Sequence, residues 1–209
     1  ERTRVLADIR KYMKIAGRYA DKIIRPTVWV VCGMIAAGKS TIADALAKSL
    51  DIPVLRSDEI RKKLFGMAPE KSAESDFQKG LYSKQATGLT YGKQLMDARE
   101  SIEKGQSAIL DATFGDRHRR DEVRRMAKDA HANLFFVLCE CPEHVIRERL
   151  MERENRPGLS DARLRHFDDI KKAFAPFDDI PEKELIRVDS SKSPDKCMEL
   201  ILSESHRPL

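Results

Sequence analysis

The sequence predicts an α/β protein with a parallel sheet and helices on both faces, and three observations predict it. Candidate strands and helices alternate from residue 27 to the end, the order a parallel sheet requires. A glycine-bearing loop at 33–38 joins a β-branched apolar run, Thr27 to Cys32, to a run with Ile42, Leu46 and Leu50 at helical spacing. Leu134-Phe135-Phe136-Val137-Leu138 is continuously apolar, as a strand covered on both faces must be. A chain of 209 residues is long enough for one such domain with a sizeable core.

Taken in order, residues 1–24 read as a lone amphipathic helix, with Val5, Leu6, Ile9, Met13 and Ala16 on one face and Pro26 closing the segment. Residues 1–25 are therefore expected to be a linker helix and 26–209 the domain. The first strand is Thr27–Cys32 and the helix after the loop runs from Ser40 to Leu50. Pro53 to Arg56 is a short second strand, and Ser57-Asp58 looks like a helix N-cap leading into Glu59 to Phe65. Residues 75–104 are polar and mostly helical, but Gly80, Gly88 and Gly92 predict a broken or mobile segment. Ser107 to Asp111 is the third strand, Asp116 to Ala130 a helix, and Asn133 to Glu140 the fourth strand. Pro142 suits the first position of the next helix, which runs to about Arg153 before Asn155-Arg156-Pro157-Gly158 breaks it. Ser160 caps a helix to about Phe174, Leu185 to Val188 is the last strand, and Ser193-Pro194-Asp195 opens a terminal helix.

Composition narrows the function. No run approaches the 18 apolar residues of a membrane span, and the first residues lack the apolar core of a secretion signal. The chain also starts without Met, so a processed chain or a piece of a longer protein with an upstream domain is expected. The net charge of +5 is slight, so nucleic acid is an admissible but disfavoured partner. Cys32, Cys139, Cys141 and Cys197 lack zinc-like spacing and read as reduced thiols of a cytoplasmic protein, and the five His residues form no metal or triad pattern.

Four elements carry chemistry. Gly33-Met34-Ile35-Ala36-Ala37-Gly38-Lys39-Ser40 is G-x-x-x-x-G-K-S, the phosphate-binding P-loop, in its required strand–loop–helix context. Its backbone amides, with that of Thr41, point at phosphate oxygens at a helix N-terminus. Lys39 reaches the β- and γ-phosphates, and the Ser40 hydroxyl can ligate Mg²⁺. The second element is Ser57-Asp58-Glu59-Ile60-Arg61 after strand two. Asp58 can take a proton from an attacking hydroxyl, and Arg61, one turn on, can hold an acceptor's anionic part. The plainer alternative is a cap and a solvated arginine; beside a P-loop the chemical reading is preferred. Third, Asp111-Ala112-Thr113-Phe114 puts a carboxylate where a Walker-B Asp orders Mg²⁺, with Thr113 and Phe114 facing the same crevice, although a strand-end Asp can also simply cap a loop. Fourth, Arg149, Arg153 and Arg156 share one helix face. They are either lid cations over ATP, Arg149 and Arg153 foremost, or a solvated face paired with Glu148, Glu152 and Glu154. Of Arg117, Arg119 and Arg120, two are expected to be surface charges.

With these elements in this order, the chain resembles the small-molecule P-loop kinases. The family includes nucleoside monophosphate, gluconate and shikimate kinases, phage-type polynucleotide kinase and zeta-toxin kinases. It looks most like the AAA-type ATP-binding kinase domains that often follow an aminoglycoside-phosphotransferase-like domain. The resemblance rests on Ser57-Asp58-Glu59-Ile60-Arg61-Lys62, Asp111-Ala112-Thr113-Phe114, Glu140-Cys141-Pro142 and Arg149-Leu150-Met151-Glu152-Arg153. The resemblance implies a P-loop NTPase sheet of order 2-3-1-4-5. It implies Asp58 as general base, Arg61 on the acceptor's phosphate, and Arg149 and Arg153 as lid arginines. Ala37 departs from relatives that carry Gly or Ser there.

The expected function is transfer of the γ-phosphate of ATP·Mg²⁺ to a hydroxyl of a small-molecule acceptor. The alternatives are a nucleotide-gated ATPase or switch acting on a partner protein, with 75–104 as its docking surface, and a polynucleotide 5′-hydroxyl kinase. The absence of an N/T-K-x-D guanine-reading motif favours ATP over GTP.

Overall fold

In the computed structural model, the described residues are 12–13, 25–67, 83–154 and 167–205, with the side chains of 153 and 154 outside the description. Of the expected linker helix only Tyr12 and Met13, helical and exposed, are described, and the segment 75–82, Arg156 and the cap at Ser160 lie outside the described residues. Five parallel strands form one sheet: β1 (Thr27–Gly33), β2 (Val54–Arg56), β3 (Ala108–Asp111), β4 (Asn133–Glu140) and β5 (Leu185–Asp189). Their order is β2-β3-β1-β4-β5, as the resemblance implies. The helices are α1 (Lys39–Leu50), α2 (Ser57–Leu64), α3 (Lys84–Glu103), α4 (Arg117–Asp129), α5 (Glu143–Glu154), α6 (Phe167–Ala173) and α7 (Pro194–Ser205).

Side chains of β1 alternate between two cores, because successive strand residues point to opposite faces. Trp29 and Val31 join Ile42 and Leu46 of α1, Leu150 of α5, Phe167 of α6 and Ile201 of α7. Val28, Val30 and Cys32 join Tyr91 and Ala98 of α3 and Val123 and Met126 of α4 on the other face. Trp29 stacks on Phe135 of β4, ring centroids 5.1 Å apart. The helices after the neighbouring strands β1 and β3 thus leave toward opposite faces. Such a divergence opens a crevice at the carboxyl ends of the strands.

Three boundaries differ from expectation for identifiable reasons. Helix α3 is unbroken through Gly88 and Gly92; burial of Tyr91, Gln94, Ala98 and Ile102 against the sheet outweighs the poor helix propensity of glycine. Helix α2 is capped at Arg56, with no side-chain cap, so Asp58 lies inside the first turn rather than at the N-cap. Pro142 precedes α5, and its carbonyl accepts the Ile146 N–H at 3.2 Å.

Two glycines make opposite predictions. A Cβ at Gly33, whose φ is +135°, would stand 2.4 Å from the Cys139 carbonyl oxygen, whereas one at Gly92 would meet nothing within 4 Å. In chemical denaturation, Gly33→Ala should lose well over about 1 kcal/mol. Gly92→Ala should gain about 0.5–1 kcal/mol by removing a glycine from a helix interior.

Candidate active site

The P-loop curls through three left-handed or extended-positive residues, Gly33, Ala36 (φ 56°) and Gly38 (φ 84°). Ala37 is not among the positive-φ residues, so its position makes no conformational demand for glycine. The loop is closed from within by the Lys39 ammonium, which donates to the Met34 carbonyl at 2.7 Å, and by the Ala37 N–H to the same oxygen at 3.2 Å. It is held from outside by groups at the ends of β4 and β5. The Ser190 hydroxyl donates to the carbonyls of Ala37 and Glu140, and Arg149 donates to Ala36 O at 3.2 Å and Ser190 O at 3.1 Å. With Met34 and Ile35 completing the turn and Ser40 and Thr41 exposed in the first turn of α1, the backbone amides sit at a helix N-terminus. Arg149 therefore braces the P-loop in this structure. Arg153 lies one turn further along α5.

Across the crevice, Asp111 ends β3 almost fully buried. Desolvation pushes its carboxyl above the ordinary range, while Lys39, a hydrogen bond with Ser40 and Arg56 pull it down. A hydroxyl and a carboxylate, both hard oxygen donors, fit Mg²⁺, which takes few protein ligands and completes its octahedron with water and phosphate. Among the described residues no group of three or more His, Cys, Asp or Glu could hold a metal ion. Arg56, which sequence reasoning passed over, is a hub. Its guanidinium pairs with Asp44 of α1, lies 3.3 Å from Glu59 of α2 and reaches to 3.6 Å from Asp111. It thereby joins α1 and α2 to the end of β3.

Asp58 is half-buried in the first turn of α2. Arg61 is buried rather than solvated, and its guanidinium lies 3.4 Å from the Thr87 hydroxyl of α3. The expectation that Phe114 faces the crevice is corrected. The backbone turns left-handed at Phe114 (φ 46°) and swings the ring into the core, edge-on to Tyr91 at 5.1 Å. Thr113 stays at the crevice; its carbonyl accepts the Gly33 N–H at 3.2 Å and its hydroxyl sits 3.1 Å from the Tyr91 hydroxyl. Of the three arginines past Phe114 only Arg117, paired with Asp178, is a surface charge, so the expectation of two is corrected: Arg119 pairs with Glu122 and lies over the Tyr91 ring, 5.5 Å from its centroid. Arg120 is wholly buried. It donates to Phe114 O and Pro176 O at 2.8 Å, forks onto the Asp179 carboxylate at 2.6 and 3.0 Å, and lies over Phe177. It ties the Asp111–Phe114 turn to the 174–180 segment. Nothing in the sequence marks Arg120 out from its neighbours, because its partner is 59 residues away.

The four cysteines are free thiols, three of them buried, and burial pushes Cys139 up to about 12. No described helix is long and apolar enough to cross a membrane.

The Arg120–Asp179 pair yields a stability prediction. Partial desolvation works to raise the Asp179 pKa, but the Arg120 hydrogen bond and charge hold it below the usual carboxylate range. A depressed carboxyl stabilises the fold above its ordinary pKa and loses that contribution as pH falls through the depressed value. Asp179→Ala strands a buried guanidinium and should cost about 3–5 kcal/mol near neutral pH. In equilibrium unfolding, the gap to the native protein should shrink in acid.

Comparison with known proteins agrees with this geometry. Residues 28–177 match the AAA domain family. An uncharacterized protein of Mycobacterium tuberculosis is 32% identical over 133 residues, 64% of this chain and 26% of that protein. The chain thus spans about a quarter of the length of the curated relatives it matches first. The shikimate kinase of Aquifex aeolicus is 26% identical over 171 residues, 81% of this chain and 90% of that one. Its solved structure shares the fold at a TM-score of 0.56 and 22% identity, over 85% of this chain and 95% of that one. The Mycobacterium tuberculosis APS kinase, solved with AMPPNP and APS, does so at 0.60 and 18% identity, over 88% and 98%. With its P-loop, its sheet order and a family match across most of its length, the chain belongs to the AAA domain family.

Proposed function

We propose that the protein is an ATP-dependent phosphotransferase that moves the γ-phosphoryl group of ATP to a hydroxyl of a small-molecule acceptor. The observation that carries the reading is the second wall of the crevice. A P-loop alone serves any nucleotide-binding protein. Here the strands beside β1 also bring a half-buried Asp58, a buried Arg61 and the Thr113 hydroxyl to the carboxyl edge of the sheet, residues whose chemistry suits an acceptor hydroxyl and its anionic part. The curated shikimate kinase and the solved APS kinase, both named as kinases, support the same reading.

In this reading ATP lays its phosphates in the curl of the P-loop, against the amides at the N-terminus of α1. Lys39 exchanges the Met34 carbonyl for phosphate oxygens. The Asp58 carboxylate accepts the proton of the acceptor hydroxyl as its oxygen attacks the γ-phosphorus. The bond to the β,γ-bridging oxygen breaks and ADP leaves with that electron pair. Mg²⁺, held by Ser40 and Asp111, would neutralise charge on the phosphate oxygens. Arg61 and Thr113 orient the acceptor. Arg149 adds positive charge from the P-loop side, and Arg153, next along the helix, is proposed as the second arginine near the phosphates. A small acceptor is favoured over a nucleic acid because the charge surplus is only +5.

The test is a screen of hydroxyl compounds for acceptor-dependent ADP formation with and without Mg²⁺. Asp58→Asn should lower acceptor-dependent turnover by about 100-fold or more, while nucleotide affinity changes by less than about twofold. ATP hydrolysis that no acceptor stimulates, and that Asp58→Asn leaves intact, would favour the switch instead.

A further inference from the structure

Three polar side chains of α3, Thr87, Tyr91 and Gln94, fall at i, i+4 and i+7, so they form one stripe along the helix. Each touches a different wall of the crevice. Thr87 meets Arg61 of α2. The Tyr91 hydroxyl pairs with the Thr113 hydroxyl at 3.1 Å and accepts the Phe114 N–H at 3.3 Å. The Gln94 amide donates to Leu55 O of β2 at 2.7 Å and reaches Asp111 O of β3 at 3.4 Å.

Gln94 is the telling member. It is fully buried, and its side-chain oxygen has no hydrogen-bond partner among the described residues. Burying an amide with an unsatisfied acceptor costs stability relative to an apolar side chain of the same shape. Its amide nitrogen meanwhile bridges two strand ends. One leads within three residues to Asp58 and the other carries Asp111. Tyr91 likewise holds the backbone where it turns left-handed at Phe114, the conformation that keeps Thr113 at the crevice.

We propose that the Tyr91–Gln94 stripe of α3 is the positioning apparatus of the acceptor half of the site. It sets the spacing between the β2 end, which leads to Asp58, and Asp111, and it fixes the Thr113 turn. The proposal deepens the phosphotransferase reading and rests on it for its kinetic consequence. Neither residue needs to touch nucleotide.

Gln94→Met keeps the side-chain length and removes both the bridge and the unsatisfied oxygen, and Tyr91→Phe removes one hydroxyl and keeps the ring contact. Both variants should melt within a few degrees of the native protein, Gln94→Met no lower than it. The KM for ATP should hold, while kcat/KM for the acceptor found in the screen falls about tenfold or more, the size of a lost hydrogen bond in alignment. A parallel loss of melting temperature and of ATP KM would show the stripe to be only structural and overturn the proposal, as would unchanged acceptor kinetics. Amide hydrogen exchange tests the stripe without turnover. In Tyr91→Phe the Phe114 N–H should exchange about tenfold faster with the Val28–Val31 amides unchanged, and an unchanged Phe114 rate would sink the proposal. If the native protein phosphorylates no hydroxyl compound, the phosphotransferase reading fails and exchange alone decides the stripe.

Discussion

The site depends on a close approach of two backbones. At the end of β1, Gly33 lies so near the Cys139 carbonyl of β4 that no side chain fits between them. That approach lets the chain leave β1 in a tight curl and deliver its amides to one point. The curl is then held from the far side by Ser190 and Arg149, which take the Ala37 and Ala36 carbonyls. The outward carbonyls of Ala36 and Ala37 are bonded elsewhere, and of the loop amides Gly33 N–H bonds to Thr113 O and Ala37 N–H to Met34 O. The curl of the P-loop is thus held by its surroundings: β4, the residue after β5 and Arg149 of α5 brace it as the glycines shape it.

The same logic orders the rest of the crevice. Because α1 and α4 leave neighbouring strands toward opposite faces, the Asp111–Phe114 turn comes up beside the P-loop, and the Gly33 N–H bonds directly to Thr113 O. Arg56 joins α1, α2 and β3 through carboxylates on all three. Arg120 anchors the outer side of the turn with a buried ion pair. The P-loop, the start of α2 and the Asp111–Phe114 turn are therefore tied together by polar contacts on one sheet, the kind of rigid framework on which a site can be held.

Much of this is legible in the chain, and what is not has a physical cause. The strands, their alternation with helices, and the P-loop are local patterns: apolar runs, helical spacing and glycine placement. The strand order came through the resemblance rather than from periodicity, and the structure agrees with it. Apart from helix ends misplaced by a residue or two at α2 and α5, the failures have causes that a local pattern does not carry. Gly88 and Gly92 promise a break that packing of α3 against the sheet prevents. Phe114 reads as a crevice residue because the sequence cannot show a left-handed turn that points its ring inward. Tyr91, Gln94 and Arg120 look ordinary because their partners lie 17 to 59 residues away. Asp58 and Arg61 are legible as candidates from their place after the second strand, but whether Arg61 is solvated is not, and its burial excludes that alternative.

The most direct measurement is isothermal titration calorimetry of the folded protein with ATP and a non-hydrolysable analogue at millimolar Mg²⁺, alongside Lys39→Ala. The account predicts one-to-one binding that weakens sharply without Mg²⁺ and is lost in the variant. A folded native protein that gives no heat with any purine nucleotide, or a Lys39→Ala variant that binds as tightly as the native chain, would contradict it.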